Sequence, residues 1–321
     1  MTVKKSILLT THHGAFLHRG GGEYELLEVA LNLRKLGHVA DPYGPYSRDV
    51  ENYDAVIHFS IDQSGLSVVE EAKNAGKEII LWPNFWQEDT TEDTVRIGYQ
   101  LLEMSDAVVF KSETERKFFE RCIPLREKKV LMVPWGVDPA FTEETPNSLF
   151  RESFGLSDYT LWIGIIEPCK NQLKTIQALE DFQVPMVFIG NCRDDQYYRA
   201  CREAAPKHFL FLKPIQHKSD LIRAAIRECS LYIEPSLDPP GKSILEAAFA
   251  GANILTCSSE WAREHFGSNA VYVDPEDPYS IQDGVARGLA MPKSSQLSRE
   301  LIAKHAFPNV LQSLCEFLDR S

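Results

Sequence analysis

Two carboxylates eight positions apart, Asp238 and Glu246, stand in the segment Glu234-Pro-Ser-Leu-Asp238-Pro-Pro-Gly241-Lys-Ser-Ile-Leu-Glu246, which follows an apolar run and enters a helical pattern. A helix opening at Lys242 offers unpaired backbone N–H groups and the positive end of its dipole to an anion. Gly241 permits close backbone approach, with Lys242 and Ser243 presenting the next amides. Glu246, one turn into the helix, suits hydrogen bonds from vicinal hydroxyls such as those of a ribose. The same residues also read as a plain capping turn with a surface glutamate. A phosphate loop they are not: residues 236–243 depart from G-x-x-x-x-G-K-[ST] only at the first position, yet Pro239 and Pro240 have no N–H to aim at a phosphate.

A second constellation is Gly164-Ile-Ile-Glu-Pro-Cys-Lys170-Asn171-Gln172, at a strand end and helix start. Gly164 leaves room for a ligand at the strand end, and Lys170, which by itself also reads as a solvated residue at a helix start, places a cation where a cation is otherwise disfavoured. Together with the helix at Lys242 it would neutralise a diphosphate. A third is Arg19-Gly20-Gly21-Gly22-Glu23 between the first strand and first helix. It reads either as a loop that lets phosphate approach or as a plain flexible turn, and it lacks the G-x-G-x-x-G dinucleotide pattern. His58, ending a strand, reads as an acceptor contact or as a structural hydrogen bond. His12, His13 and His18 cluster without the spaced ligand set a metal site needs, so no metal is expected.

These residues need a scaffold, and the sequence describes one. Its 321 residues, 44% hydrophobic, suit two domains. A net charge of -12 argues against nucleic-acid partners. Seven cysteines without a C-x-x-C pair fit reduced, mostly buried thiols. With no signal-like or membrane-spanning run, the expected location is the cytoplasm.

Short apolar runs alternate with helical periods, the signature of parallel α/β units. Strands are expected at 6–11, 39–41, 55–59, 78–81, 107–110 and 130–133, and again at 160–165, 186–190, 209–212, 231–234, 253–256 and 271–273. Helices fill the intervals. In the first, residues 22–36, Leu26, Leu27, Ala30, Leu31 and Leu33 fall close to one face and Glu23, Glu25 and Glu28 suit the helix start. Pro139 and Pro146 mark a linker. The predicted domains are 1–140, 141–305 and a terminal helix within 306–321, whose Val310, Leu311, Leu314 and Phe317 share a face. The fold class is thus two facing Rossmann-like, doubly wound domains, with ligands at the carboxyl ends of the strands.

The combination resembles the GT-B glycosyltransferases of retaining, nucleotide-sugar-dependent family GT4. The resemblance lies in Gly20 to Gly22, Pro134-Trp135-Gly136-Val137-Asp138, Gly164 through Lys170, and the Asp238-x7-Glu246 segment with its trailing Glu-Ala-x-Ala-x-Gly. It spans nearly the whole chain and implies a terminal helix that crosses back to the first domain. It further implies Lys170 and Asp238 as catalytic residues, Lys170 on the donor diphosphate and Asp238 beside the donor sugar. Gly21, Gly22, Gly164, Gly241, Lys242, Ser243 and Glu246 complete the donor site, Glu246 on the ribose. His58 and Asn84 are the acceptor-side residues. The donor is a UDP- or GDP-sugar, the acceptor a glycan, lipid-linked or small molecule, and no metal or other cofactor is needed.

Three departures stand out. Ile165 replaces a phosphate-binding arginine, a gap for which Arg19 and Arg193 are the candidates. Asp238 replaces the first glutamate. Leu81-Trp82-Pro83-Asn84-Phe85-Trp86 replaces a strand end that often carries histidine. They motivate an alternative: a non-catalytic GT-B protein that binds a nucleotide sugar or supports a partner. Another GT-B enzyme, an epimerase or hydrolase, is a third reading. The basic stretch from Arg116 to Lys129 reads as a solvated helix or as a peripheral membrane contact.

Overall fold

The alternating runs fold into two doubly wound units. The computed structural model describes residues 4–17, 21–85 and 91–320. Contacts divide the chain into one unit from Met1–Gly136 and His305–Ser321 and a second from Val137–Lys304.

In the first unit, β1 (Ser6–Thr10), β2 (Val39–Pro42), β3 (Ala55–Phe59), β4 (Glu78–Trp82), β5 (Ala107–Phe110) and β6 (Lys129–Met132) form one sheet in the order β2-β1-β3-β4-β5-β6. Every pairing is parallel. The helices are α1 (Gly21–Lys35), α2 (Gln63–Asn74), α3 (Glu92–Met104) and α4 (Glu113–Cys122). Because side chains alternate along a strand, one set buries on each face. Ile7, Leu9, Ile57, Phe59, Ile80 and Trp82 pack with α1 and the chain's end. Leu8, Val56, Ile79 and Leu81 pack with α2, α3 and α4.

The helical period of α1 selects Leu26, Val29, Ala30 and Leu33 for burial and leaves Leu31 exposed, which corrects the expected stripe. Glu25 and Glu28, expected near the helix start, are buried. After α1 the chain turns at Gly37, whose φ of +91° favours glycine.

The second unit carries α5 (Leu149–Phe154), β7 (Thr160–Ile163), α6 (Gln172–Ala178), β8 (Met186–Ile189), α7 (Asp195–Ala204), β9 (Leu210–Leu212), α8 (Asp220–Glu228), β10 (Leu231–Glu234), α9 (Lys242–Phe249), β11 (Ile254–Cys257), α10 (Glu260–Phe266), β12 (Val271–Val273) and α11 (Pro278–Ala290). Its parallel sheet runs β12-β11-β10-β7-β8-β9. Strand order reverses between β7 and β10, and in the first unit between β1 and β3. Such switch points open a crevice at the strands' carboxyl ends.

Two helices escaped the sequence reading. The short α5 is capped from a distance: the Glu228 carboxylate accepts from the amides of Phe150 (3.3 Å) and Arg151 (2.9 Å). The other, α12 (Gln296–His305), buries chiefly Leu297 and Leu301. At the chain's end, a 3-10 turn Asn309–Leu311 leads into α13 (Gln312–Leu318). There Val310, Leu311, Leu314 and Leu318 join the first unit's core, and the expected Phe317 is only partly buried.

Gly190 is demanded by the close approach of two backbones. A Cβ on Gly190, just past β8, would overlap the Gly164 carbonyl oxygen, and backbone cannot yield as a side-chain tip can. Gly190→Ala should therefore lower stability by about 1–3 kcal/mol. An unchanged urea midpoint would show that the two strand ends are not packed as described.

Candidate functional site

At the switch point of the second sheet, the chain leaves β7 through Gly164 and enters a 3-10 turn, Pro168–Lys170. Asn171 ends that turn in the left-handed region (φ 65°), which asparagine tolerates better than most residues. Its buried side-chain amide donates to the carbonyls of Pro235 (3.2 Å) and Pro275 (2.7 Å), tying the turn to the end of β10. Gln172 donates to the Ile165 carbonyl at 2.8 Å. Lys170 is thereby fixed beside β10, where Nζ lies 3.1 and 2.9 Å from the two Asp238 carboxylate oxygens. Burial works against the charged amine, but Glu234 and Asp238 outweigh it and hold the Lys170 pKa above its ordinary value.

From the end of β10 the chain reaches α9 through residues 235–241. Gly241 is the N-cap of α9 and supplies no side chain to the helix end. A cap comes instead from Glu234: its Oε1 accepts from the Gly241 amide at 3.0 Å, and Oε2 lies 3.5 Å from Ser243 Oγ and from the Tyr232 hydroxyl. Glu234 is 2% exposed. Burial pushes its pKa up to about 7, against the opposing pull of Lys170 and the Gly241 amide. Further along α9, Glu246 Oε1 lies 2.9 Å from His217 Nε2 and 3.9 Å from Lys242 Nζ. The His217 ring packs against Phe141, with centroids 5.5 Å apart.

The second unit thus brings Lys170, Asp238, Gly241, Lys242, Ser243 and Glu246 to one end of its sheet, with Gly164 at the neighbouring strand end. A Cβ on Gly164 would meet only Trp162, at 3.7 Å. Sequence reasoning missed Glu234 as a site residue, although an acid closing an otherwise apolar strand was a visible signal. It also missed His217, for which no local signal exists. Arg193, a candidate for the gap at Ile165, pairs at the surface with Glu167 at 2.8 Å. The other candidate, Arg19, lies outside the described residues, as do His18, Gly20 and Trp86.

The remaining expected residues belong to the first unit. Gly21 and Gly22 open α1, which begins one residue before the expected start at 22. His58 is fully buried, which corrects its placement as an acceptor contact: Nδ1 lies 2.9 Å from Thr10 Oγ1, and the ring packs where Gly65 of α2 leaves space. Burial pushes its pKa down to about 4.

Asn84 has a positive φ of 50°, and its Oδ1 accepts from Lys111 Nζ at 2.6 Å. The Lys111 ammonium also lies 3.7 Å from Glu25 and 4.5 Å from the centre of the Trp135 ring. Beneath it, fully buried Glu115 accepts from the amides of Lys111 (2.7 Å) and Phe85 (3.3 Å). Burial pushes its pKa up to about 7 despite the Lys111 charge. Lys111, Glu25 and Glu115 were not anticipated, since the contacts that join them to Asn84, Trp135 and Phe85 are distant in sequence.

No protein-family model matches the sequence, and neither does any curated protein. Among solved structures, the chain is similar to a sucrose-phosphate synthase from Thermosynechococcus elongatus, at 14% identity over 99% of each chain with a TM-score of 0.81. It is also similar to HepE from Anabaena in complex with UDP and glucose, at 16% identity over 99% of this chain and 100% of that one, with a TM-score of 0.80. The chain has the GT-B fold.

A third GT-B neighbour is a glycosyltransferase from Rickettsia africae, at 14% identity over 99% of this chain and 98% of the other, with a TM-score of 0.78. At these identities the fold is what is shared. Among the described residues, no helix is long and apolar enough to cross a membrane. In α4 and its following loop, Arg116 pairs with Glu113 and Glu120, and Arg126 with Glu103 of α3. The thiols are free, but Cys169 and Cys192 are exposed, against the expectation of mostly buried cysteines.

Proposed function

We propose that this GT-B chain is a retaining glycosyltransferase that moves a sugar from a UDP- or GDP-sugar to a carbohydrate or glycoconjugate hydroxyl, without a metal. The observation that carries this reading is the partly buried Lys170 amine placed beside the N-terminus of α9 at the switch point, with Glu246 one turn further on. HepE, with the same fold, was captured with UDP and glucose.

When the bond from the sugar's anomeric carbon to the diphosphate oxygen breaks, negative charge collects on the departing diphosphate. Lys170 and the amides at the start of α9 stabilise that charge, the work a metal would otherwise do. The acceptor oxygen bonds to the same face of the anomeric carbon, and its proton passes to the leaving phosphate oxygen. Glu246 accepts the ribose hydroxyls in place of His217. Asp238, released from Lys170, lies beside the donor sugar.

A panel of UDP, GDP, UDP-glucose and GDP-mannose tests the reading. The matching nucleotide at a hundred times its dissociation constant should add about 2.7 kcal/mol of stability, and its sugar should yield free nucleoside diphosphate. Stabilisation without release, in the presence of varied acceptors, favours the non-catalytic alternative that Ile165 motivates. No thermal shift with any of the four overturns the transferase reading and favours the partner-supporting form of the alternative.

A further inference from the structure

We propose that Glu234 is a built-in anion at the N-terminus of α9, and that donor binding displaces it from the Gly241 amide with uptake of one proton. This rests on the glycosyl-transfer reading of the same site and adds to it a resting state and a coupling to pH.

The geometry carries the argument. An α-helix leaves its first amides unpaired, and an anion is favoured there. In α9 the N-cap residue is a glycine with no capping side chain, and the amide of that residue is already taken, by a carboxylate seven positions earlier. The same carboxylate lies 3.5 Å from Ser243 Oγ, a second donor in the group expected to meet the diphosphate. In parallel, the Lys170 ammonium is held by Asp238. The cation and the Gly241 amide are thus both held by the protein's own acids, and an incoming diphosphate must compete with them.

The two competitors differ in what they can do when displaced. Asp238 is 37% exposed along its side chain and can turn to water. Glu234 is 2% exposed and cannot. A buried carboxylate next to a diphosphate is unfavourable on two counts, desolvation and like charge. Protonation removes both and turns Glu234 into a hydrogen-bond donor toward a phosphate oxygen. The proton comes from solvent and stays on the carboxyl while the ligand is bound.

The ionisable and polar groups facing Glu234 are few. Lys170 approaches from the 3-10 turn, Asp238 from the loop, Tyr232 from its own strand, Cys257 from β11 and Ser243 from α9. Of the charges among them, only Lys170 favours the ionised carboxylate. Burial already sets its proton affinity near neutrality, at about 7, so a neighbouring diphosphate carries it upward through the physiological range.

The test is calorimetric titration of the intact protein with UDP-glucose and GDP-mannose, whose diphosphates stay fully ionised between pH 6 and 9. Titrations in buffers of different ionisation enthalpy count the protons taken up. For whichever donor binds, uptake should approach one proton at pH 7.5–8, and the dissociation constant should rise toward tenfold per pH unit above pH 7. Glu234→Gln should abolish most of that uptake and flatten the profile, leaving any contribution from His217 in place. Wild-type binding with no proton uptake overturns the proposal without any variant, as does an unchanged profile in folded Glu234→Gln. Absence of binding by any nucleotide sugar at any pH instead overturns the glycosyl-transfer reading, and this proposal with it.

Discussion

Lys170→Ala is expected to slow the release of nucleoside diphosphate from the matching donor by about 10²–10³-fold, the scale seen when one preorganised donor to a developing anion is removed. The amine is a partly buried cation at the second sheet's switch point, and its present partner, Asp238, is an acid that a substrate can replace. Binding should divide accordingly. The free nucleoside, held through Glu246, loses little affinity, whereas the nucleoside diphosphate loses much of its own. Lys170→Arg keeps a positive charge but substitutes a planar fork for a compact ammonium, so it should recover part of the binding and less of the turnover. Equal loss for nucleoside and diphosphate in Lys170→Ala would place the diphosphate somewhere else.

How far the sequence could lead depends on the range of the interactions concerned. Strands of both sheets were legible because a parallel strand covered on two faces reads as an unbroken apolar run, as in Ile79, Ile80 and Leu81. Helix starts were legible where a local side chain caps them, as Ser112 accepts from the Glu115 amide and Asp194 from Gln196 and Tyr197. The start of α5 was not, because its cap is Glu228, more than seventy residues away.

The site divides along the same line. Lys170, Asp238 and Glu246 stand out by type and spacing, but that Lys170 rests against Asp238, and Glu246 against His217, is settled only when four separate segments converge. His58 shows the converse. Its position at a strand end suggests access to a ligand, and only the packing of Gly65 against the ring reveals a core residue.

The second large effect lies in the first unit, where Glu115 is a fully buried acid held near neutrality. Its pKa is about 7 in the folded chain against 4.5 as the ordinary value, so the native state holds its proton more tightly than the unfolded chain does. The contribution of this group to stability is therefore complete below pH 4.5 and is lost as pH rises through 7. A difference of that size corresponds to about 3 kcal/mol.

Urea unfolding of wild type and Glu115→Gln at pH 5, 6, 7 and 8 should show the variant gaining on wild type with rising pH, by up to that amount. The amide in place of the carboxyl leaves either the Lys111 or the Phe85 N–H with a poorer partner. That is a constant offset, so the slope, not the absolute stability, carries the result. Glu234 contributes with the same sign from the second unit. His58, with its depressed pKa of about 4, contributes with the opposite sign, losing stability as pH falls from about 6.5. Both are present in each protein and cancel in the difference. Parallel profiles across the four pH values would mean that Glu115 stays ionised throughout, with Lys111 supplying enough field to offset its burial.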